Sequence, residues 1–141
     1  MAELVKQHLA KRNVQVSDSP KLEAVIALYK ERVATLLEMA DEAEVFYTEV
    51  KPAQELLDTH LTSDVILALQ ELVTGFNDVA WEAASIGVLI KTVLANYNLK
   101  MPKLAMPLRV ILVGKTHTPS VDAVLALFTK IAVIERLQRY I

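Results

Sequence analysis

Apolar residues recur every three or four positions along most of this chain, which is the spacing of one face of an α-helix. Between such segments stand the residues that commonly begin or end helices: Ser, Thr and Asp before a segment, Pro at its start and Gly at its end. We therefore predict an all-α fold. The predicted helices cover residues 4–13, 22–37, 51–60, 63–75, 77–97 and 107–113, with one last helix from Pro119 through Leu137.

Several local signals fix where these helices begin and end. Residues 17–20 (Ser-Asp-Ser-Pro) place a cap before a proline at the first helical position, where its missing N–H is not needed. Thr118 and Pro119 are predicted to do the same for the last helix, with Asp122 in its first turn. Gly87 lies inside the predicted helix 77–97, where it would allow a close crossing of two helices.

The acidic segment 43–50 contains β-branched and aromatic residues and is predicted to be an extended connection to Pro52. We place a boundary there. The predicted organisation is two small helical subdomains, residues 1–50 and residues 51–141.

Residues 108–119 (LRVILVGKTHTP) resemble a buried strand followed by a phosphate-binding loop. That loop requires G-x-x-x-x-G-K-[ST], and its first glycine would fall at position 109, which is arginine. A nucleotide site is therefore not predicted. A short buried helix from Pro107 to Gly114 is favoured over a strand, although a short apolar run leaves both open.

Composition narrows the class of protein. The chain has 141 residues, 53% of them hydrophobic, with three glycines and no cysteine, so disulfides and thiolate metal sites are excluded. The net charge of −2 is unevenly distributed. Residues 41–82 contain ten acidic residues and one lysine, whereas residues 91–141 contain eight basic and two acidic residues. The basic segment is compatible with nucleic-acid binding, but charge alone favours an ordinary solvated surface.

The chain offers few residues for catalysis. His8, His60 and His117 are too far apart in sequence to ligate a metal from one helix face, and no catalytic or metal site is predicted. The positive candidate is the segment 114–122 together with Arg109, because backbone donors at a helix start and an arginine fork can bind an RNA base. The alternative is a capped helix beside a solubilising arginine.

Residues 81–141 resemble the end of bacterial glutamyl-tRNA synthetases, which are class I aminoacyl-tRNA synthetases. The family pattern Lys-Leu-Ala-x-Pro-Leu-Arg-x-x-x-x-Gly matches residues 103–114, and Thr-Pro-x-x-x-x-x-Leu matches residues 118–125. Residues 21–50 are similar to the preceding helical segment of that family. Val113 and Thr129 depart from common family usage, but neither belongs to the expected contacts.

The resemblance implies an anticodon-binding region, a cage of helices formed by the two subdomains. It also implies contacts between anticodon bases and two arginines, Arg32 and Arg109, the latter contacting the first anticodon position. The turn that assists Arg109 is formed by Thr118, Pro119, Ser120 and Val121.

The resemblance further implies tRNA(Glu) as the partner, with no DNA and no membrane, in a cytoplasmic protein that we expect to be a monomer. The family's ligase reaction uses ATP and Mg²⁺ in a catalytic domain whose signature motifs do not occur here, so no cofactor is expected in this chain. The alternatives are a free-standing helical module that binds a protein partner and, least favoured, a small enzyme of its own.

Overall fold

The computed structural model describes residues 2–16, 21–48 and 50–141. Within these ranges the chain forms nine helices and no strand, which confirms the all-α prediction. Two compact units divide the chain, Met1–Glu49 and Val50–Ile141. The helices are α1 (Ala2–Lys11), α2 (Leu22–Tyr29), α3 (Leu36–Glu44), α4 (Gln54–His60), α5 (Ser63–Phe76), α6 (Ala83–Asn96), α7 (Met101–Val113), α8 (Val121–Leu127) and α9 (Lys130–Gln138).

The first unit is a three-helix arrangement in which α1, α2 and α3 contact one another. Its core consists of side chains that recur at helical spacing on each helix. Fully buried examples are Val5, Leu9, Val25, Met39, Ala40 and Ala43. Burial of this apolar surface is what stabilises three short helices that would not be stable alone.

The prediction of one continuous helix over residues 22–37 was wrong. α2 ends at Tyr29, and α3 begins at Leu36 after a turn. Thr35 caps α3 by accepting a hydrogen bond from the Glu38 N–H, 3.1 Å away, while the Glu38 carboxylate accepts from the Ala34 N–H. This Thr-x-x-Glu pattern marks the start of a helix. The apolar spacing nevertheless continues from α2 into α3, because both helices bury apolar residues in the same core.

Two further predictions concern this unit. Residues 43–50 are not extended throughout, because residues 43 and 44 complete α3 and residues 45–47 form turns. Phe46 is buried there against the Tyr29 ring, and this aromatic contact favours a compact turn over an extended segment. The predicted cap at residues 17–20 lies outside the described residues.

The second unit is built around α7, which contacts each of α4, α5, α6, α8 and α9. A helix surrounded on all sides needs apolar residues on all sides, and α7 is accordingly almost continuously buried from Leu104 to Val113. The strand alternative for this segment is therefore wrong.

The predicted start of α7 was also wrong. The helix begins at Met101, with Pro102 in its first turn, and Pro107 lies inside it. A proline within a helix removes one backbone hydrogen bond and costs about 3 kcal/mol. Contacts with five neighbouring helices outweigh that cost.

The predicted helix over residues 77–97 begins only at Ala83, so Trp81 lies in the preceding loop. Its indole N–H donates to the Phe128 carbonyl, 2.8 Å away, and its ring packs edge-on against Phe76. The predicted single helix up to Leu137 is likewise divided into two helices. α8 ends before Phe128, and Thr129 caps the start of α9. The indole thus satisfies a carbonyl next to the break.

Candidate nucleic-acid interface

Arg109 lies near the end of α7, and its guanidinium is held by a neighbouring side chain. Its Nε donates to the Thr118 hydroxyl, 2.9 Å away, and one terminal nitrogen lies 4.0 Å from the Met106 sulfur. Thr118 is 6% exposed, and its hydroxyl in turn donates to the Pro119 carbonyl at 2.7 Å. The planar fork is therefore fixed at one nitrogen, while its second terminal nitrogen meets no acceptor within residues 50–141.

The end of α7 positions Thr118. Gly114 adopts the left-handed conformation (φ 70°) and its N–H donates to the Val110 carbonyl, so the helix ends there and the chain turns back. A Cβ at position 114 would lie 3.0 Å from a methyl carbon of Val50, and any other residue would also be strained at this φ. Arg136 of α9 donates to the Leu112 carbonyl at 2.7 Å and satisfies one carbonyl of the final turn.

This arrangement corrects two predictions about the segment 114–122. Thr118 does not cap a helix, and Pro119 is not the first helical residue, because α8 begins at Val121 with Ser120 as its cap residue. α8 is only seven residues long, so its backbone donors carry less weight than we expected. The Thr118 hydroxyl contacts Arg109 instead.

Gly114 also bears on the resemblance to a phosphate-binding loop. The residues before Gly114 form a helix, whereas that loop connects a strand to a helix. The strand that such a loop requires is therefore absent before Lys115 and Thr116.

A cleft of about 410 Å³ lies between α6, α7 and the start of α8. Its lining includes the predicted residues Arg109, Ser120 and Val121. Thr118 reaches the cleft through its bond to Arg109, whereas Pro119 is buried and does not line it. Of the predicted turn, Thr118 therefore contacts Arg109 directly, and Ser120 and Val121 line the same cleft.

Beside these, the lining includes Val88, Lys91, Met101 and Asp122, none of which was predicted to contact an anticodon base. Val88 is 65% exposed and Met101 is 39% exposed, so both present apolar surface at the cleft. The sequence could have indicated that Val88 is exposed, because it does not share the helical spacing of the buried residues of α6. Asp122 was predicted as the last residue of the segment 114–122 and as a charge in a first helical turn, but not as a base contact.

Arg32 lies in the first unit, in the turn between α2 and α3. Its backbone N–H donates to the Tyr29 carbonyl at 2.8 Å, and its side chain is exposed, with no hydrogen-bond partner among residues 2–16 and 21–48. Tyr29 beneath it is 1% exposed. Burial, and then the Glu42 carboxylate, raise the pKa of Tyr29 above its ordinary value, and the Arg32 charge opposes that rise.

The histidines and carboxylates of the described part of the chain are scattered. No group of three or more His, Asp or Glu side chains there is placed to hold a metal ion. No described helix is both long and apolar enough to cross a membrane.

Comparison with known proteins identifies one matching domain family and several similar ligases. The profile of the anticodon binding domain family matches residues 1–141. The chain is 46% identical over 141 residues to a glutamate–tRNA ligase of Dechloromonas aromatica, and 46% identical over 137 residues to that of Aromatoleum aromaticum. It spans 100% and 97% of its own length in these alignments but 30% of each ligase.

Solved structures are similar as well. The chain matches a crystal structure of a glutamate tRNA ligase from Elizabethkingia meningosepticum, in complex with its amino acid, with a TM-score of 0.83 and 26% identity. The match covers 96% of this chain and 27% of that one. A glutamate-tRNA synthetase from Elizabethkingia anophelis gives a TM-score of 0.78 at 28% identity, over 96% of this chain and 26% of that one. These similarities confirm the resemblance carried by residues 81–141.

Proposed function

The chain belongs to the anticodon-binding domain family, and on this basis we propose that it recognises the anticodon of tRNA(Glu) as part of a glutamate–tRNA ligase. The observation that carries the proposal is the Arg109 guanidinium, fixed by Thr118 at the edge of a cleft with exposed apolar walls. Sequence-specific RNA binding uses this combination, in which an unstacked base lies against an apolar or planar group while its edge is hydrogen-bonded.

The bond to Thr118 leaves the base-binding part of Arg109 available. An arginine presents five N–H donors, and Nε supplies one of them to the Thr118 hydroxyl. The terminal nitrogen that does not contact the Met106 sulfur has no acceptor within residues 50–141 and remains for a base edge. Because the fork is already oriented, less side-chain entropy is lost when it binds.

Charge and exposure support RNA as the partner. Residues 91–141 contain eight basic and two acidic residues, and basic residues bind the phosphate backbone with release of counterions. In the first unit, the exposed Arg32 side chain is available for a second anticodon base. Ser120 and Val121 line the cleft beside Arg109.

Recognition is the part of the reaction that we assign to this chain. In a glutamate–tRNA ligase the attachment of glutamate with ATP and Mg²⁺ belongs, in our proposal, to the remaining length of the protein. We further propose that the chain acts as a monomer, with one tRNA bound per chain.

Replacing Arg109 tests the proposal directly. We expect Arg109→Ala to weaken binding of a tRNA with the cognate anticodon by about 1–3 kcal/mol, the range for loss of a good base contact. Arg109→Lys keeps the charge but loses the fork, and we expect most of the same loss. Binding is measured by fluorescence anisotropy at two salt concentrations, with tRNAs altered at each anticodon position.

The control is Lys130→Ala, because Lys130 donates to the Val79 carbonyl at 3.3 Å and does not line the cleft. Loss of a phosphate contact would weaken the binding of all tRNAs equally and would lower the salt dependence of binding by about one unit of slope. If Arg109→Ala loses the same free energy on every tRNA, Arg109 does not recognise a base. If the unchanged protein binds no tRNA, the protein-interaction alternative is favoured instead.

A further inference from the structure

Asp122 brings a negative charge into the cleft that contains Arg109. Its Oδ1 accepts a hydrogen bond from the Ala123 N–H at 2.8 Å, and the side chain lines the cleft. Its Oδ2 has no donor within residues 50–141. The carboxylate is thus held at one oxygen, and the other oxygen is available as an acceptor.

Gly87 of α6 positions this carboxylate. A Cβ placed on Gly87 would lie 3.1 Å from Asp122 Oδ2, which is closer than ordinary van der Waals contact. The Asp122 side chain therefore occupies space that any other residue at position 87 would share. Glycine in a helix interior costs about 0.8–1.0 kcal/mol relative to alanine, and the close approach of α8 gives this glycine a structural reason.

The mixture of charges in the cleft indicates the chemistry of its ligand. A phosphate would be attracted by Arg109 and Lys91 but repelled by Asp122. A neutral base edge with a donor beside an acceptor can satisfy both the carboxylate and the guanidinium. The exposed side chains of Val88 and Met101 offer apolar surface for the face of such a base.

We propose that Asp122 is a specificity-determining residue, whose carboxylate accepts a hydrogen bond from the same unstacked base whose acceptor binds Arg109. The proposal rests on the function proposed above and extends it, because it specifies a base edge with a donor next to an acceptor. Gly87 is a positioning residue in this scheme, since it allows the carboxylate to lie against α6.

The test uses Asp122→Asn, which keeps the size of the side chain and an acceptor for the Ala123 N–H but removes the charge. We compare the Kd values of four tRNAs that differ only in one anticodon base. That base is the one at the position where Arg109→Ala changes binding. We expect the variant to bind the preferred tRNA about ten- to hundredfold more weakly, the range for a hydrogen bond to a charged group. We expect the other three tRNAs to change much less, so that selectivity falls.

Glu135→Gln is the matched control, because it makes the same charge change at an exposed residue of α9 outside the cleft. We expect it to leave selectivity unchanged. Gly87→Ala is the second variant. It should displace the Asp122 carboxylate and reduce selectivity in the same direction, because its Cβ would lie 3.1 Å from Oδ2. Urea unfolding of this variant shows that the protein remains folded.

Each outcome decides the proposal. Equal weakening of all four tRNAs by Asp122→Asn means that Asp122 only supports α8, and the proposal is wrong. Unchanged selectivity in both Asp122→Asn and Gly87→Ala also overturns it. A wild-type protein that binds tRNA without any anticodon preference contradicts the proposed function itself, whereas a preference that depends on Arg109 but not on Asp122 contradicts only this inference.

Discussion

Arg109 and Arg32 are the two arginines proposed to contact anticodon bases, and their surroundings differ. Arg109 is half-buried on a helix that contacts five others, and Thr118 binds its Nε. Arg32 is exposed in a turn between two short helices, and only its backbone is hydrogen-bonded among the described residues. The first side chain is oriented before it binds, and the second must be ordered by its ligand.

The difference has a thermodynamic consequence. Immobilising a side chain with many rotamers costs about 0.5–1.5 kcal/mol on binding. Arg109 has already lost much of this freedom in the folded protein, whereas Arg32 loses it only in the complex. We therefore expect Arg109 to contribute more to base selectivity, and Arg32 to depend on the stability of its turn.

The greatest change is expected at the turn that presents Arg32. Thr35→Ala removes the hydroxyl that accepts from the Glu38 N–H at the start of α3. Loss of such a cap costs about 0.5–2 kcal/mol, and we expect this decrease in the free energy of unfolding of the first unit, measured in urea. Thr74→Ala on α5 is the control, since its hydroxyl bonds to the Gln70 carbonyl within a helix. An unchanged stability in Thr35→Ala would show that the turn does not depend on its cap.

A smaller effect is expected at the bond that orients Arg109. Thr118→Val preserves the shape of the buried side chain but removes the acceptor of Arg109 Nε, and we expect binding of the cognate tRNA to weaken by about 0.5–1.5 kcal/mol. The same substitution in an Arg109→Ala background should have little further effect on binding, because the two residues act together. Thr118→Val should not alter any dependence of binding on Arg32.

Additive losses in the double variant would contradict the orienting role of Thr118. Thr74→Val provides the control for the change of side chain. It is also a hydroxyl-to-methyl substitution, on a helix surface outside the cleft.

The least change is expected at Tyr29, beneath the Arg32 turn. Its hydroxyl is buried with no hydrogen-bond partner among the described residues, so at neutral pH we expect Tyr29→Phe to leave the free energy of unfolding unchanged or to raise it. Burial raises the pKa of Tyr29 above its ordinary value of 10.0, and burial followed by Glu23 raises the pKa of Tyr47 to about 12. Above about pH 10 the tyrosine loses its proton more readily in the unfolded state than in the folded state, because the folded-state pKa is raised. The protein is therefore expected to keep its full stability below about pH 10 and to lose stability as the pH rises beyond it.

Urea unfolding of the wild type and Tyr29→Phe between pH 8 and pH 11 measures this loss. We expect the wild type to lose more stability above pH 10 than the variant, with Tyr47 accounting for a remainder in both. Parallel pH curves for the two proteins would contradict the assignment to Tyr29.

The start of α3 shows how far local sequence signals could have been used. The pattern Thr35-x-x-Glu38 marks a helix start, but Val33, Leu36 and Leu37 continue the apolar spacing of α2 across it. Periodicity persists across such a break because α2 and α3 both face the core of the first unit. The same reason explains why α8 and α9 were predicted as one helix in spite of the cap at Thr129.

Pro107 shows where local signals are misleading. Proline is favoured in the first turn of a helix, so a start is predicted at Pro107, whereas Pro102 occupies that place. Only the packing of α7 among five other helices explains why the helix continues through Pro107. That packing follows from long-range contacts, which no local window of sequence contains.

The spacing of apolar residues was sufficient to assign an all-helical fold, because one buried face requires a period of three to four residues wherever a helix packs. The motifs around Arg109 were sufficient to identify the family. The bond between Arg109 and Thr118, the contact of Asp122 with Gly87 and the cleft between three helices arose only in the folded chain. These features join residues on different helices, and their distances depend on how α6, α7 and α8 pack.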